Sequence, residues 1–401
     1  MRKNITSIGN QNFLEMKLHN LLLLSLLAVL FAACDSDDDN GLDPDVDPII
    51  LSGTQSTPLT LENIFTNPAA SDYIVDDGTF SIDAAVTVEP GVRITMTPGA
   101  RIDINAGGSL SAVGTEDNPI YIEGEQEARG YWDYIRFRSN NPNNRLEHCI
   151  ISHGGGSSLS NRQAAVTLVN NAQLSMVNTV IRESARNGII VTDTDNRLPE
   201  FSNNIVTNCE QFPIAIRPQQ LSSIDESTEF TTGNGFNRIA VGGTSVSSAV
   251  TINRAAGPYF FDGTTSFESS AEIGPGTLIE MGPGARIEVR STGSLAINGT
   301  ETERVTITGA EAAKGYWDYI YFNDTNSPNN QIHYADISYG GGSSLSNRDA
   351  IIGCRSSAFF AMSNSTISNS MRYGITLGGS STWDDLGGNE FSGNELGDIN
   401  D

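Results

Sequence analysis

Apolar and polar positions alternate in short runs along most of this chain. Ile94-Thr-Met96, Ile102-Asp-Ile104 and Ile120-Tyr-Ile122 each set two apolar side chains about a more polar one. Ile279-Glu-Met281, Ile287-Glu-Val289 and Val305-Thr-Ile307 do the same further on. A two-residue period predicts β-strands with one face inside and one outside. Pro90-Gly91, Pro98-Gly99, Gly107-Gly108, Pro275-Gly276 and Pro283-Gly284 punctuate the runs. Pro fixes one negative φ and Gly accepts the positive φ that follows, as a type II turn requires. Strands start at a short, nearly even spacing, at Ile94, Ile102, Leu110 and Ile120. Three of them make a coil of roughly 22–27 residues, the size of a β-solenoid rung.

The pattern is written twice. Gly130-Tyr-Trp-Asp-Tyr-Ile135 returns unchanged at Gly315–Ile320, and Gly154-Gly-Gly-Ser-Ser-Leu-Ser-Asn-Arg162 returns at Gly340–Arg348. The two blocks keep the same offset to within one position. A fold that tolerates tandem duplication, in which each coil packs only on its neighbours, is a solenoid. The organisation read from the chain is an N-terminal cap or first strands at 51–78, copy one at 79–238 and copy two at 239–401, as one continuous solenoid.

Asparagines gather at the rung corners: Asn170-Asn171, Asn178, Asn187, Asn203-Asn204, Asn208, Asn364, Asn369, Asn389 and Asn394. Asn tolerates left-handed backbone, and its amide can stack in ladders. Such Asn-x-x-Ile and Asn-Gly-Ile rhythms over residues 75–401 resemble right-handed parallel β-helix proteins of the pectin-lyase-like type. The Gly-x-Trp-x-x-Ile motif and the Gly pair resemble β-helix lipoproteins of Bacteroidota. The resemblance implies an all-β right-handed parallel β-helix and a cell-surface address, but no single reaction.

The N-terminus supports that address. Met16-Lys-Leu-His precedes an apolar run from Leu21 to Ala33, too short for the ~20 residues of a bilayer-spanning helix. It reads as a secretory signal over residues 1–33. Leu30-Phe-Ala-Ala-Cys34 resembles a lipobox, with Cys34 as the lipidated residue and Phe31 where Leu is usual. Seven aspartates follow between Asp35 and Asp47, so 34–50 reads as an acidic tether. Acidic residues just after the lipidated Cys resemble the surface-export signal of Bacteroidota lipoproteins. This implies outer-membrane anchoring with exposure at the cell surface.

Without residues 1–33 the chain holds 20 basic and 47 acidic residues, a net charge of −27. Nucleic acid is excluded as a partner, because its binding is driven by Lys and Arg at phosphates. No cofactor is called for; Ca²⁺ is the one ion such a surface could attract. Cys149, Cys209 and Cys354 are an unmatched odd set with no CxxC spacing, and read as buried free thiols.

The candidate ligand contacts are Trp132, Tyr134 and Arg136 in copy one and Trp317, Tyr319 and Tyr321 in copy two. With Ile135 and Phe137 inside, alternation sends these outward, where Trp and Tyr faces suit sugar rings. The alternative is that the two tryptophans cover the core at a coil corner while Asp133 and Asp318 hold the turn. The Gly-rich loops lack the strand–loop–helix setting of an anion cradle and read as structural. His148, His153 and His333 have no matching partner in the other copy, so no Ser-His-Asp set stands out. Asp193 and Asp195 beside Arg197 are the nearest thing to a lyase cluster. The expected function is a non-enzymatic binding or adhesion module for polysaccharide; the alternatives are a polysaccharide lyase or hydrolase, and a structural spacer.

Overall fold

The computed structural model describes residues 47–401. The segment expected to be a signal peptide, the expected lipidation site Cys34 and most of the expected acidic tether lie outside the described residues. Ile49 and Ile50, assigned above to the tether, already open the first strand, Ile49–Gln55.

Every strand pairing among the described residues is parallel, and each strand pairs with one about a coil away in sequence. This is a parallel β-helix solenoid, with sheets of 19, 6, 7 and 6 strands. Inward side chains stack like on like. One row runs Ile102, Ile135, Val166, Ile189 and Ile214. Another runs Ile239, Tyr259, Ile279, Ile307, Ile337, Ile367 and Phe391. Nearly all of these are fully buried and form one continuous core. Fully burying each aliphatic side chain contributes roughly 1.5–3 kcal/mol.

Coil size varies more than the strand spacing predicts. Phe261 stacks on Met281 across a short rung, whereas Ile104 stacks on Phe137 across a much longer one. The long rung carries Gly130–Ile135, whose turn is inserted ahead of the strand Tyr134–Phe137.

The two copies are not in phase around the axis. Arg93–Met96 and Leu278–Met281 are equivalent under the offset between the copies. In copy one Arg93–Met96 stacks on Tyr73–Val75, on the face of Ile120–Gly124. Leu278–Met281 instead continues the row through Ile214–Ile216, Ile239–Gly242 and Tyr259–Asp262, which belongs to the face of Tyr134–Phe137. Copy two is therefore advanced by one of the three faces. At the joint a 3-10 helix, Pro218–Ser223, takes the place of a strand, with Thr251 N donating to Ser222 Oγ at 2.9 Å.

Asparagines hold the corners in two ways. Asn170, Asn171, Asn178, Asn203, Asn208, Asn364 and Asn369 adopt positive φ. Buried Asn204 bridges coils instead: its Oδ1 accepts from Thr179 N and its Nδ2 donates to Met176 O, both at 3.0 Å. Asn330 repeats this with Leu295 N and Phe359 O, both at 3.0 Å. An unpaired buried N–H costs about 1–3 kcal/mol. Asn204→Ala is accordingly expected to lower stability by about that amount, read as a lower denaturant midpoint, whereas Asn203→Gly, which relieves a left-handed residue, is expected to change it little.

Candidate functional site

The two repeated blocks form one structural unit in each copy. In copy one Gly130 N donates to Gly154 O (3.2 Å), Gly155 N to Asp133 O (2.9 Å) and Gly156 N to Trp132 O (3.0 Å). In copy two Gly315 N, Gly341 N and Gly342 N make the same bonds to Gly340 O (3.1 Å), Asp318 O (2.8 Å) and Trp317 O (3.0 Å). Backbones this close leave no room for side chains. A Cβ on Gly156 would lie 2.5 Å from Gly130 O, and one on Gly154 would lie 2.7 Å from the Trp132 ring. Each indole donates to a backbone carbonyl, Trp132 to Ser152 O and Trp317 to Ser338 O, both at 2.8 Å.

The exposed aromatic surface expected at Trp132, Tyr134, Arg136, Trp317, Tyr319 and Tyr321 is corrected here: none of the six is more than 9% exposed. Trp132 and Trp317 belong to the core. Tyr134, Tyr319 and Tyr321 are covered by the Gly-rich loops, and Arg136 is buried against Asp103 and the Tyr134 ring. The Arg162 guanidinium lies 5.7 Å from the Tyr134 ring centre, and that of Arg348 lies 4.5 Å from Tyr321 and 5.8 Å from Tyr319. Alternation gives direction from the coil, and a loop laid over the strand then removes the exposure. Because the copies are out of phase, the two sites also fall on different faces: Tyr134–Phe137 is in the 19-stranded sheet and Ile320–Asn323 in the seven-stranded one.

Beneath the loops the copies solve one packing problem differently. Arg136 pairs twice with Asp103, at 2.6 and 2.9 Å, and its row neighbour is Thr167. In copy two Tyr321 stands between Glu288 and Gly353, and a Cβ on Gly353 would lie 3.1 Å from the Tyr321 ring. Asp133 and Asp318 sit at the unit's edge. Burial pushes both carboxyls above the ordinary range, although Arg101 (3.6 Å) and Arg286 (3.4 Å) pull the other way.

The open aromatic surface lies elsewhere. Phe212, Phe236 and Phe260 come from three successive coils and gather on the outside of the solenoid where the copies join, with Phe212 stacked on each of the other two. Phe212 and Phe236 have ring centres 4.6 Å apart, and Phe212 and Phe260 are 6.2 Å apart. Phe236 is 45% exposed. Arg238 lies 3.9 Å over Phe260 and is held by Glu280 at 3.0 Å. Beside the ladder the outward row reads Ile190, Ala215, Ala240 and Phe260. The two alanines make the floor of a groove of about 460 Å³, bounded by Asn161 and Gln163 of the Gly-rich loop and by Arg217 and Asp262. The groove is apolar along its floor with polar groups at its rim, the composition of a ligand cleft. No single period in the sequence marks the three phenylalanines, because the register sets Phe260 one coil on from Ala240 and not from Phe236.

The remaining candidates are placed as follows. Asp193 and Asp195 line an adjoining depression with Arg217, whereas Arg197 lines a separate one. Asp193 Oδ2 accepts from Asn170 N at 2.6 Å, and Arg217 Nε donates to Thr192 O at 3.0 Å. Among the described residues no group of three His, Cys, Asp or Glu could hold a metal ion. His333 bonds Ser363 Oγ at 2.8 Å and His148 bonds Asn178 at 3.2 Å. The three described cysteines are free and buried, and burial pushes the Cys149 and Cys209 thiols up to about 12.

No family model, curated protein or solved structure matches this chain.

Trp132→Ala is expected to lower stability by about 3–5 kcal/mol, the cost of emptying a large core site. Gly154→Ala is expected to destabilise as well, because the indole must move. Both are read by urea unfolding followed by circular dichroism; a Trp132→Ala protein as stable as the parent would contradict the core assignment.

Proposed function

We propose that this protein is a lipid-anchored cell-surface β-helix that binds polysaccharide without cleaving it, along the groove lined by Phe212 and Phe260 and over the Phe236 ring stacked beside it. The reading rests on that exposed ladder. Its three rings gather on one rigid face, Phe212 within stacking distance of both Phe236 and Phe260, so sugars of a polymer could lie against them. Aromatic faces offer apolar contact to the C–H faces of sugars, while Asn161, Gln163, Arg217 and Asp262 at the rim can hydrogen-bond hydroxyls. The pectin-lyase-like resemblance is in keeping with a solenoid face that follows a polymer. The lyase alternative is less well supported: Arg197, the cation expected beside Asp193 and Asp195, lines a separate depression.

Export and anchoring rest on the Leu21–Ala33 run, the Phe31-Ala-Ala-Cys34 lipobox and the acidic residues after it. Cell-surface exposure would bring the groove to extracellular glycans.

Two measurements test these readings. On a panel of soluble acidic and neutral polysaccharides in affinity electrophoresis, the protein is expected to be retarded by at least one. Phe212→Ala/Phe236→Ala is expected to weaken this at least about tenfold without release of reducing or unsaturated ends. No retardation by any polymer removes the carbohydrate reading. Separately, Cys34→Ala is expected to move the protein from the detergent to the aqueous phase and abolish labelling by a radioactive fatty acid.

A further inference from the structure

Two equivalent outward rows differ in character between the copies. In copy one the row Arg93, Tyr121, Ile150, Val180, Ile205 climbs five rungs on the face of Ile120–Gly124, and its last four members are aromatic or aliphatic. In copy two the equivalent row is Leu278, Thr306, Asp336, Thr366, Glu390. Asp336 is held there by Arg304 at 2.8 Å. The same strand geometry therefore accepts polar side chains, so pleat and pairing do not require an apolar row in copy one. Tyr121, Ile150 and Val180 are partly exposed, and Ile205 is 43% exposed. An outward apolar stripe that the coil itself does not need marks an interaction surface.

The charges beside the stripe say what covers it. The neighbouring outward row reads Thr95, Glu123, Ser152, Arg182, Thr207. Glu123 pairs with Arg93, whose guanidinium lies 4.0 Å over the Tyr121 ring, and Arg182 Nε donates to Ser152 Oγ at 2.9 Å. The two rows together hold two arginines and one glutamate, in a chain of net charge −25. A second copy, repelled by most of this acidic chain, meets no excess of negative charge on these rows. The rows are also self-complementary. Half a turn about an axis lying along the middle strand, Cys149–Ser152, keeps each row on its own kind and reverses the order of the rungs. Ile150 then meets Ile150, Tyr121 meets Val180 twice, and Glu123 meets Arg182 twice. A partner carrying one sign of charge would leave either Glu123 or Arg182 opposed, whereas a second copy satisfies both.

We propose that this face of copy one is a dimer interface, on which a second copy of the chain packs with its solenoid antiparallel, about a two-fold axis through Ile150. A two-fold contact needs a patch that complements itself, and this pair of rows does so in both shape of pattern and charge. Five rungs at the ~4.8 Å spacing of paired strands span roughly 20 Å. A contact of that height is expected near the lower limit of about 1,000 Å² for a specific interface, in exchange with monomer. The Phe212–Phe260 groove lies on another face, so the proposal does not rest on polysaccharide binding.

The full chain carrying Cys34→Ala, so that no lipid draws it into micelles, is followed by sedimentation velocity over a wide concentration series. A rise from monomer to dimer mass is expected. Ile150→Asp imports the residue that copy two carries at the equivalent place, Asp336. It is expected to weaken the dimer at least about tenfold while the urea midpoint stays near that of the parent, since the side chain is partly exposed. Arg182→Glu sets like charges against each other twice across the axis and is expected to weaken the dimer to a similar degree. Adding Glu123→Arg to Arg182→Glu exchanges the pair and is expected to recover most of that loss. Monomer at every concentration overturns the proposal. So does a dimer that Ile150→Asp or Arg182→Glu leaves intact, or one that the exchanged pair fails to restore in a protein whose urea midpoint shows it folded.

Discussion

Each coil of this protein must match the coil before it and the coil after it, at every inward position. Parallel pairing fixes the register, and the register stacks each inward side chain on its counterpart one rung away. The row Ile239, Tyr259, Ile279, Ile307, Ile337, Ile367, Phe391 is aliphatic or aromatic throughout, and its one hydroxyl, that of Tyr259, donates to Asn253 O at 2.8 Å. A one-residue slip would turn a whole strand inside out. The constraint is local, so the short rung from Phe261 to Met281 and the long one from Ile104 to Phe137 can coexist as long as the strands themselves stay aligned.

The duplicated blocks show what happens where a rung carries extra chain. The Gly130–Asp133 turn needs somewhere to go, and Gly154–Gly156 supplies it by running alongside at hydrogen-bond distance. Trp132 fills the space that Gly154 leaves open. The two blocks hold each other through the same backbone bonds and the same indole contact in both copies. The residues beneath the loop are freer, provided volume and charge are shared out between neighbours. Arg136 with Asp103 and Thr167 in one copy become Tyr321 with Glu288 and Gly353 in the other.

Strand alternation, Pro-Gly turns, left-handed asparagines and the solenoid itself were legible in the sequence, because each is a property of a few neighbouring residues. The failures share a cause. Tyr134 and Tyr321 do leave the coil as alternation requires, but a loop further along the chain covers them, and period-2 reasoning does not see loops. Phe212, Phe236 and Phe260 were missed because no common strand position relates them: one coil back from Phe260 stands Ala240, and the rings meet only in the folded solenoid. The shift of one face between copies depends on how many strand positions fill the interval from one copy to the next. One of those positions is occupied by the 3-10 helix Pro218–Ser223, which carries no strand signature.

That shift has a consequence for function that duplication alone would hide. Repetition in sequence suggests two equivalent binding sites, yet the row that floors the groove has a different counterpart in copy two. In copy one the outward row beyond the loop is Thr167, Ile190, Ala215, Ala240, and it gains its aromatic wall from coils on both sides of the joint. In copy two the corresponding row is Gly353, Thr376, Asn400: polar, and set on another face. The Phe260 end of the ladder exists only because the face of Tyr134–Phe137 runs on into the first coils of copy two instead of restarting. A joint without the shift would continue the row through a different strand of copy two, and Phe260 would no longer meet Phe212. The groove is thus a property of how the two copies are joined, and of neither copy by itself.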